Sequence, residues 1–399
     1  MTRKVAVIGV GDSIPARRRP DATYLQLAYD AASAAMKDAG VTAKEIQCGF
    51  FGTAIEAFCR QYLIFDKVVQ TLGWTQKPMI TFVNAGGSSA GGINSAYWSI
   101  VSGQYDLVMV LGGDKTSDAD VPGHPGFQNI VVFGLDNTFE MPLGSGHAFF
   151  AMMGQHYMHT YGVTEEQIAK VSVKNHGNAL LNPHAQSPKK ITVEDVLKST
   201  PVCYPIKFLD CSVISDLYGA LIFASEEKVK ELKIDTPIWI EGIGYANDAS
   251  YLGYREVLNP GFDLSHPPAL ASAGRQAYEM AGIKDPQKEL DIVELQDGFT
   301  FLELISYECL NFCKWGEGGK LIDEGVTELN GELPVNPSGG CLGHAHGYGG
   351  AGIVTMAEVV KQMRGECGDY QIKPIPRVGL CESMGGSSMT VAGVQILRR

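Results

Sequence analysis

The segment Asn336-Pro337-Ser338-Gly339-Gly340-Cys341-Leu342-Gly343-His344-Ala345-His346-Gly347-Tyr348-Gly349-Gly350-Ala351-Gly352 sets a thiol and histidines in a glycine-rich loop that runs into a helical pattern. An imidazole can trade a proton near neutrality, and the glycines allow a ligand close to the backbone. A thiol attacks only as its thiolate, so Cys341 would need a base or cation to bring down a pKa that starts near ~8.5, and His346 lies five residues on. A second segment, Ile80-Thr81-Phe82-Val83-Asn84-Ala85-Gly86-Gly87-Ser88-Ser89-Ala90-Gly91-Gly92, reads as a strand ending in a small-residue turn that opens a helix. Backbone N–H groups at such a helix start can steady an oxyanion, or the glycines simply let the helix pack closely. Two shorter segments complete the set: Glu294-Leu295-Gln296-Asp297-Gly298-Phe299-Thr300, between a strand and a helix, and Gly379-Leu380-Cys381-Glu382-Ser383-Met384-Gly385-Gly386, between the last strands.

The elements that must position these groups alternate. Short β-branched runs at 5–11, 48–52, 79–84 and 107–112 are separated by helical patterns at 25–39, around Phe65 and at 91–101. After Pro237 the rhythm resumes, with strands at 238–244, 292–295, 378–381 and 390–397 and helices at 269–280, 301–313 and 353–363. Such alternation implies βαβ units, a parallel sheet covered by helices, and two halves built alike. Between the halves lies a stretch from Lys115 to about Asp210, rich in His, Gly and Pro, with helical patches at 164–176 and 193–198. An insertion of this kind serves as a lid or ligand-binding region, or as an oligomer contact.

At 399 residues the chain is more than twice a typical domain of roughly 150, and 32 basic against 44 acidic residues leave a net charge of −12. Hydrophobic residues reach 45% and charged ones only 19%, enough to bury a large core and an interface. The acidic balance argues against nucleic acid or an anionic membrane as partner, because those surfaces need clustered Lys and Arg. The apolar start at 5–9 is too short for a signal peptide, and no apolar run approaches the ~18 residues of a membrane span. Nine scattered cysteines without a CxxC pair fit reduced thiols and a cytoplasmic location. His156 and His159 could bind a metal on paper, but no third ligand stands at a matching spacing, so a structural helix face is expected there and no metal. Gly123-His124-Pro125 lacks the glycine context of the His346 loop and is read as a decoy, and Lys189-Lys190 is the one basic doublet in the insertion that could meet a phosphate.

In this order and on this duplicated framework, the four segments resemble the thiolase superfamily. The similarity is greatest to the branch of sterol-carrier-protein-type and archaeal thiolases, whose signatures are an NPSGG loop, a GHP histidine and an HDCF-like turn. It spans essentially the whole chain, because residues 157–162, 193–197 and 209–216 also match that branch's insertion. The resemblance implies a five-layer αβαβα fold of class α/β: two duplicated βαβαβαββ halves with an inserted loop domain. The expected boundaries are 1–115 with 211–233 for the first half, 116–210 for the loop domain and 234–399 for the second half.

Carried over residue by residue, the family's nucleophilic cysteine falls on Gly87, so the usual thiol has gone. His346 matches the GHP histidine although Gly347 replaces the proline. Gln296 takes the place of the Asn or His that holds a catalytic water, and Cys381 matches the second cysteine, which handles the α-carbon proton. Cys341 is the candidate replacement nucleophile, with the missing β-carbon at Gly87 opening room for its sulfur; alternatively it fills a slot where relatives carry Leu or Ala. Backbone groups of Gly87, Ser88 and Gly385 would line the oxyanion site.

The activity so implied is thiolytic cleavage of a 3-oxoacyl-CoA, one with a bulky or branched acyl group, by coenzyme A as co-substrate and with no bound cofactor. Cys341 would attack the 3-keto carbon, His346 with a water on Gln296 would hold the oxyanion, and Cys381 would protonate the enolate. The alternatives are a thiolase-fold carbon–carbon lyase or retro-aldolase, with Tyr348 as an available acid/base group, and a non-catalytic acyl-CoA or lipid-binding protein. Family resemblance also implies a homodimer core and a small partner subunit carrying a zinc finger and an OB-fold.

Overall fold

The structure is a computed structural model that describes residues 3–119, 146–386 and 389–399. The decoy at Gly123-His124-Pro125 and part of the insertion lie outside the described residues. Eleven strands are present among the described residues: β1 Val5–Asp12, β2 Cys48–Gly52, β3 Met79–Phe82, β4 Leu107–Asp114, the short pair β5 Pro201–Cys203 and β6 Ile206–Lys207, β7 Leu217–Ser225, β8 Ile238–Asn247, β9 Ile292–Glu294, β10 Val378–Gly385 and β11 Val391–Arg398. The helices that matter here are α1 Tyr24–Ala39, α2 Ser88–Val101, α3 Gly146–Tyr161, α4 Glu165–Ala179, α5 Pro268–Ala281, α6 Thr300–Cys309, α7 Gly340–Gly343 and α8 Ala351–Arg364.

The nine long strands run in the order β3-β2-β4-β7-β1-β8-β11-β10-β9. Among the described residues, strand pairing between the halves joins β1 to β8 through Ala6 with Trp239 and Val7 with Ile238. In the first half β3, β2 and β4 are parallel, and β7 and β1 join antiparallel. The second half repeats this: a parallel bridge from Val335 to Val293 takes the place of β3, β9 and β10 are parallel, and β11 and β8 join antiparallel. The strand-by-strand match is the duplication that the alternating pattern implied.

Three large buried clusters fill the space between the five layers, the middle one lying on both sides of the central helices. Helix α1 packs with its alanine face on one side of the first sheet, helices α2 and α8 lie together between the sheets, and α5 and α6 cover the second sheet. The outer helices can approach because the first strand of each half carries glycine where they cross. A β-carbon on Gly9 would stand 2.5 Å from the Ala35 carbonyl of α1, and one on Gly242 would run into the Ala277 carbonyl of α5. Helix α4 opens with a capping box, Thr164 and Gln167 bonding each other's backbone N–H at 3.2 and 3.0 Å, as a T-x-x-Q sequence demands. It packs with α3 against α6, which brings the insertion over the second half. Among the described residues no helix is long and apolar enough to cross a membrane.

Strand β7 is a difference from the sequence pattern. Its run LYGALIFAS is buried along its whole length and therefore shows no polar alternation. Helix α6 stops at Cys309, short of 313, where Asn311 takes a left-handed conformation with φ 58°.

Candidate active site

The His346 loop is hung on a buried polar frame. Lys174 and Glu303 pair at 2.9 Å with neither side chain exposed, and the second Glu303 oxygen accepts from the Asn175 and Asn336 amides, each at 2.7 Å. Asn336 in turn accepts the Leu295 N–H at 2.7 Å, and Glu294 receives the backbone and hydroxyl of Ser338 at 3.0 and 2.9 Å. Asp297 accepts the Cys341 N–H at 2.5 Å at the start of the single-turn helix α7, as well as the Asn175 amide at 2.7 Å. Gly339 and Gly340, at φ 105° and 58°, make the turn that a β-carbon would forbid, since one on Gly340 would collide with the Asp297 carboxylate. Glu294 and Asp297 thus fix backbone of the loop that carries His346, Glu303 holds the loop's Asn336 side chain, and buried polar groups partnered in this way cost the fold less than lone ones.

His346 itself is clamped at both backbone groups. Its N–H donates to the Ser215 hydroxyl at 2.9 Å and its carbonyl accepts the Ser215 N–H at 2.9 Å. The ring stacks on Tyr348, with centroids 5.1 Å apart, and Nδ1 meets the Ser212 hydroxyl at 2.7 Å. Burial alone holds its pKa down at about 4, so the ring is neutral at pH 7. Nε2 looks toward the Gln296 amide nitrogen at 3.5 Å. That amide has one orientation, because its oxygen accepts the Met384 N–H at 2.9 Å, while the Gln296 N–H is held by Glu382 at 2.9 Å. The Glu382 carboxyl is pushed up to about 8 by burial, against the hydrogen bond from Gln296 N–H. His346 and Gln296, fifty residues apart in the chain, are therefore brought face to face.

The β3–α2 turn closes the same corner. A β-carbon on Gly86 would lie 2.6 Å from the Gln296 amide nitrogen, and one on Gly385 would lie 2.7 Å from the Gly86 nitrogen, so strand β10 and the turn touch through bare backbone. Asn84 donates from its side chain to the Tyr245 hydroxyl at 3.0 Å, and the Ser88 hydroxyl is engaged by Asn84 N–H and the Thr53 carbonyl at 2.7 and 2.8 Å.

The structure bears on four expectations from sequence. The place beside Gly87 is not open: the atom nearest a β-carbon there would be Val391 Cγ1, at 2.8 Å. The N–H groups of Gly87 and Ser88 are turned inward to the Asn84 and Ala85 carbonyls at 3.0 and 3.3 Å, so they are not free oxyanion donors. The Cys341 thiol is buried among Asp297, Glu382 and Glu294, and burial with those carboxyls drives its pKa well above the ordinary value, where a neutral His346 offers no compensating cation. Cys381 points from β10 into the core between the sheets, reaches the Gln395 side chain at 3.4 Å, and is likewise pushed well up by burial and Glu382. Sequence reading missed Ser212 and Tyr245, as well as the Lys174–Glu303 frame. Ser212 did sit in a segment whose match to the insertion was visible.

His156 meets Asp263 at 3.1 Å on the helix face expected for it. Among the described residues no cluster of three His, Cys, Asp or Glu side chains could hold a metal.

A duplicated five-layer α/β fold, with a histidine and an amide converging beside a glycine turn at the start of a central helix, defines a thiolase-fold protein. Residues 15–198 match the model described as "Thiolase, N-terminal domain", and residues 261–399 match "Thiolase C-terminal domain-like". An acetyl-CoA acetyltransferase of Methanothermobacter thermautotrophicus is 34% identical over 393 residues, 98% of each chain. The benzoylsuccinyl-CoA thiolase subunit BbsB of Thauera aromatica is 32% identical over 390 residues, 97% of this chain and 96% of that one. Among solved structures, the "Ltp2-ChsH2(DUF35) aldolase" superposes with a TM-score of 0.83 at 26% identity, covering 99% of this chain and 97% of the other. The chain belongs to the thiolase family and is an enzyme of its acyl-CoA acyltransferase class.

Proposed function

We propose that this enzyme breaks or forms the Cα–Cβ bond of a 3-oxoacyl-CoA, with coenzyme A as acyl acceptor, by holding the thioester enolate between His346 and Gln296. The observation that carries the reading is the convergence of His346 Nε2 and the locked Gln296 amide across 3.5 Å beside Gly86. A preorganised donor aimed at developing negative charge is worth about 3 kcal/mol in a dry site. In the cleavage direction coenzyme A gives up its thiol proton and its sulfur bonds to the 3-keto carbon; the Cα–Cβ bond breaks, its electrons pass into the enolate, and Cα takes up one proton, so that the proton lost by the thiol is balanced.

With Cys341 held protonated and Val391 at the Gly87 position, the acceptor sulfur is that of coenzyme A itself rather than a cysteine. Benzoylsuccinyl-CoA, giving benzoyl-CoA and succinyl-CoA as in anaerobic toluene degradation, is the substrate we favour, supported by the similarity to BbsB. Acetoacetyl-CoA is the simpler candidate, on the similarity to the acetyltransferase. We also propose a homodimer core joined by a small partner subunit with a zinc finger and an OB-fold. The partner is supported by DUF35 standing in the name of the similar aldolase and by BbsB being named a subunit.

A second reading, a carbon–carbon lyase that releases an aldehyde or ketone, is favoured by the same loss of a usable thiol and by the likeness to an aldolase. The test is to incubate the protein, with any co-purifying subunit, with 2-benzoylsuccinyl-CoA, acetoacetyl-CoA or a 3-hydroxyacyl-CoA, with and without coenzyme A. Products and intact protein are then read by mass spectrometry. Two acyl-CoA products that require coenzyme A, with no protein adduct, support direct acyl transfer. An acyl adduct on Cys341 or Cys381 would overturn the direct route, and cleavage independent of coenzyme A would replace it with the lyase.

A further inference from the structure

Among the described residues Ser212 is the one side chain that bonds the far nitrogen of the His346 ring, and its backbone is held on both sides. The Ser212 N–H donates to the Gly298 carbonyl at 3.1 Å, Cys211 bridges Phe299, and three residues on Ser215 grips both backbone groups of His346. The Ser212 hydroxyl meets Nδ1 at 2.7 Å, and no other hydrogen-bond partner for it is present among the described residues. A hydroxyl hydrogen facing a bare ring nitrogen is satisfied, whereas an N–H facing the oxygen would leave that hydrogen with no acceptor.

The other end of the ring leaves room for this arrangement. Nε2 and the Gln296 amide nitrogen stand 3.5 Å apart, beyond the usual 2.7–3.2 Å of an N–H hydrogen bond. Met384 keeps the amide's N–H side turned to the ring. A contact this long does not fix the tautomer by itself, and it leaves room for two donors facing a common point.

We propose that Ser212 is a positioning residue that donates to Nδ1 and so keeps the His346 proton on Nε2. Two N–H groups, one from His346 and one from Gln296, then converge on the carbonyl oxygen of a bound acyl-CoA thioester. The inference rests on the enolate-holding role above, but its first test does not. In full-length protein labelled with 15N-histidine, with His346→Asn used to assign the signal, two-bond 1H–15N correlation reports which ring nitrogen carries hydrogen. The wild type is expected to show the Nε2–H form, Ser212→Ala a mixture or the reverse form, and Ser212→Thr the wild-type form. An Nδ1–H form in the wild type, or an unchanged tautomer in Ser212→Ala, would overturn the proposal.

The second readout is exchange of the acetyl-CoA α-protons in D2O. Ser212→Ala is expected to slow it by about tenfold, the rate equivalent of one ordinary hydrogen bond, with coenzyme A affinity unchanged and Ser212→Thr restoring the rate. Exchange that is absent even in a wild type with the Nε2–H form would sink the enolate reading and leave the tautomer assignment standing. Exchange that proceeds equally in Ser212→Ala would remove Ser212 from the mechanism.

Discussion

Replacing Gln296 by leucine separates what the amide does for the fold from what it does for chemistry. The side chain is almost buried, its oxygen is the acceptor for the Met384 N–H, and its nitrogen is one of two groups aimed at the proposed enolate oxygen. Gln296→Leu strips the Met384 N–H of its partner inside the protein, a loss of about 1–3 kcal/mol in stability. It also deletes one oxyanion donor, which lowers the rate by about 10²–10³, equivalent to roughly 3–4 kcal/mol in the barrier. Gln296→Glu keeps the acceptor for Met384 and places a third buried carboxyl beside Glu382 and Asp297, both already held above the ordinary carboxylate range by burial. Its carboxyl will therefore stay protonated and able to donate at low pH, and lose that ability as pH rises. Acetyl-CoA α-proton exchange in D2O measures the enolate step alone, and thermal melts follow the fold. The expectation is a slow, destabilised leucine variant and a stable glutamate variant whose rate falls with rising pH across neutrality. A leucine variant that exchanges protons at the wild-type rate while folded would refute the role given to Gln296.

Three further outcomes follow from the same geometry. Cys341→Ala should leave product formation unchanged and cost only about 1 kcal/mol, the loss of a small buried apolar group; abolition of turnover in a folded variant would return the nucleophile's role to that thiol. Gly87→Cys alone should destabilise by about 1–3 kcal/mol through the collision with Val391, whereas Gly87→Cys with Val391→Ala should fold and accept an acyl group from an acyl-CoA, seen as a mass shift on residue 87. Glu382, raised from 4.5 to about 8, stabilises the fold only while protonated, and Asp114, raised from 3.8 to about 7, acts the same way. Their contribution is complete below the ordinary carboxylate values and is lost as pH climbs through the folded ones, so the melting temperature should decline toward pH 8 and Glu382→Gln should flatten that decline.

What the sequence made legible was periodic or local, and what it hid was set by distant groups. The alternation of strand and helix was readable because parallel strands and the helices over them carry different periods, and the glycine turn before α2 could be found from composition alone. Strand β7 was not, because it follows the insertion and returns antiparallel between β4 and β1, outside the strand–helix alternation of either half. His346 and Gln296 could be paired by resemblance, and the fold does bring them together.

Cys341 shows why proximity in the chain is a poor guide to chemistry. It lies five residues from the histidine, yet the single turn of α7 hands its backbone to Asp297 and leaves its thiol among carboxyls from 294, 297 and 382. Those residues come from two strands and a loop remote in sequence, so no local spacing could reveal that the environment opposes a thiolate. The same holds at Gly87, where the space vacated by a missing side chain is taken by Val391 from the last strand. Removal of the thiol and retention of the facing donors are consequently independent features of one site: the first is decided by β11, the second by Ser212, Met384 and the clamp of Ser215 on His346. An enzyme built this way keeps the means to hold a thioester enolate whatever becomes of the acyl group. That is why the exchange of α-protons, rather than acyl transfer, is the more direct measure of what these residues do.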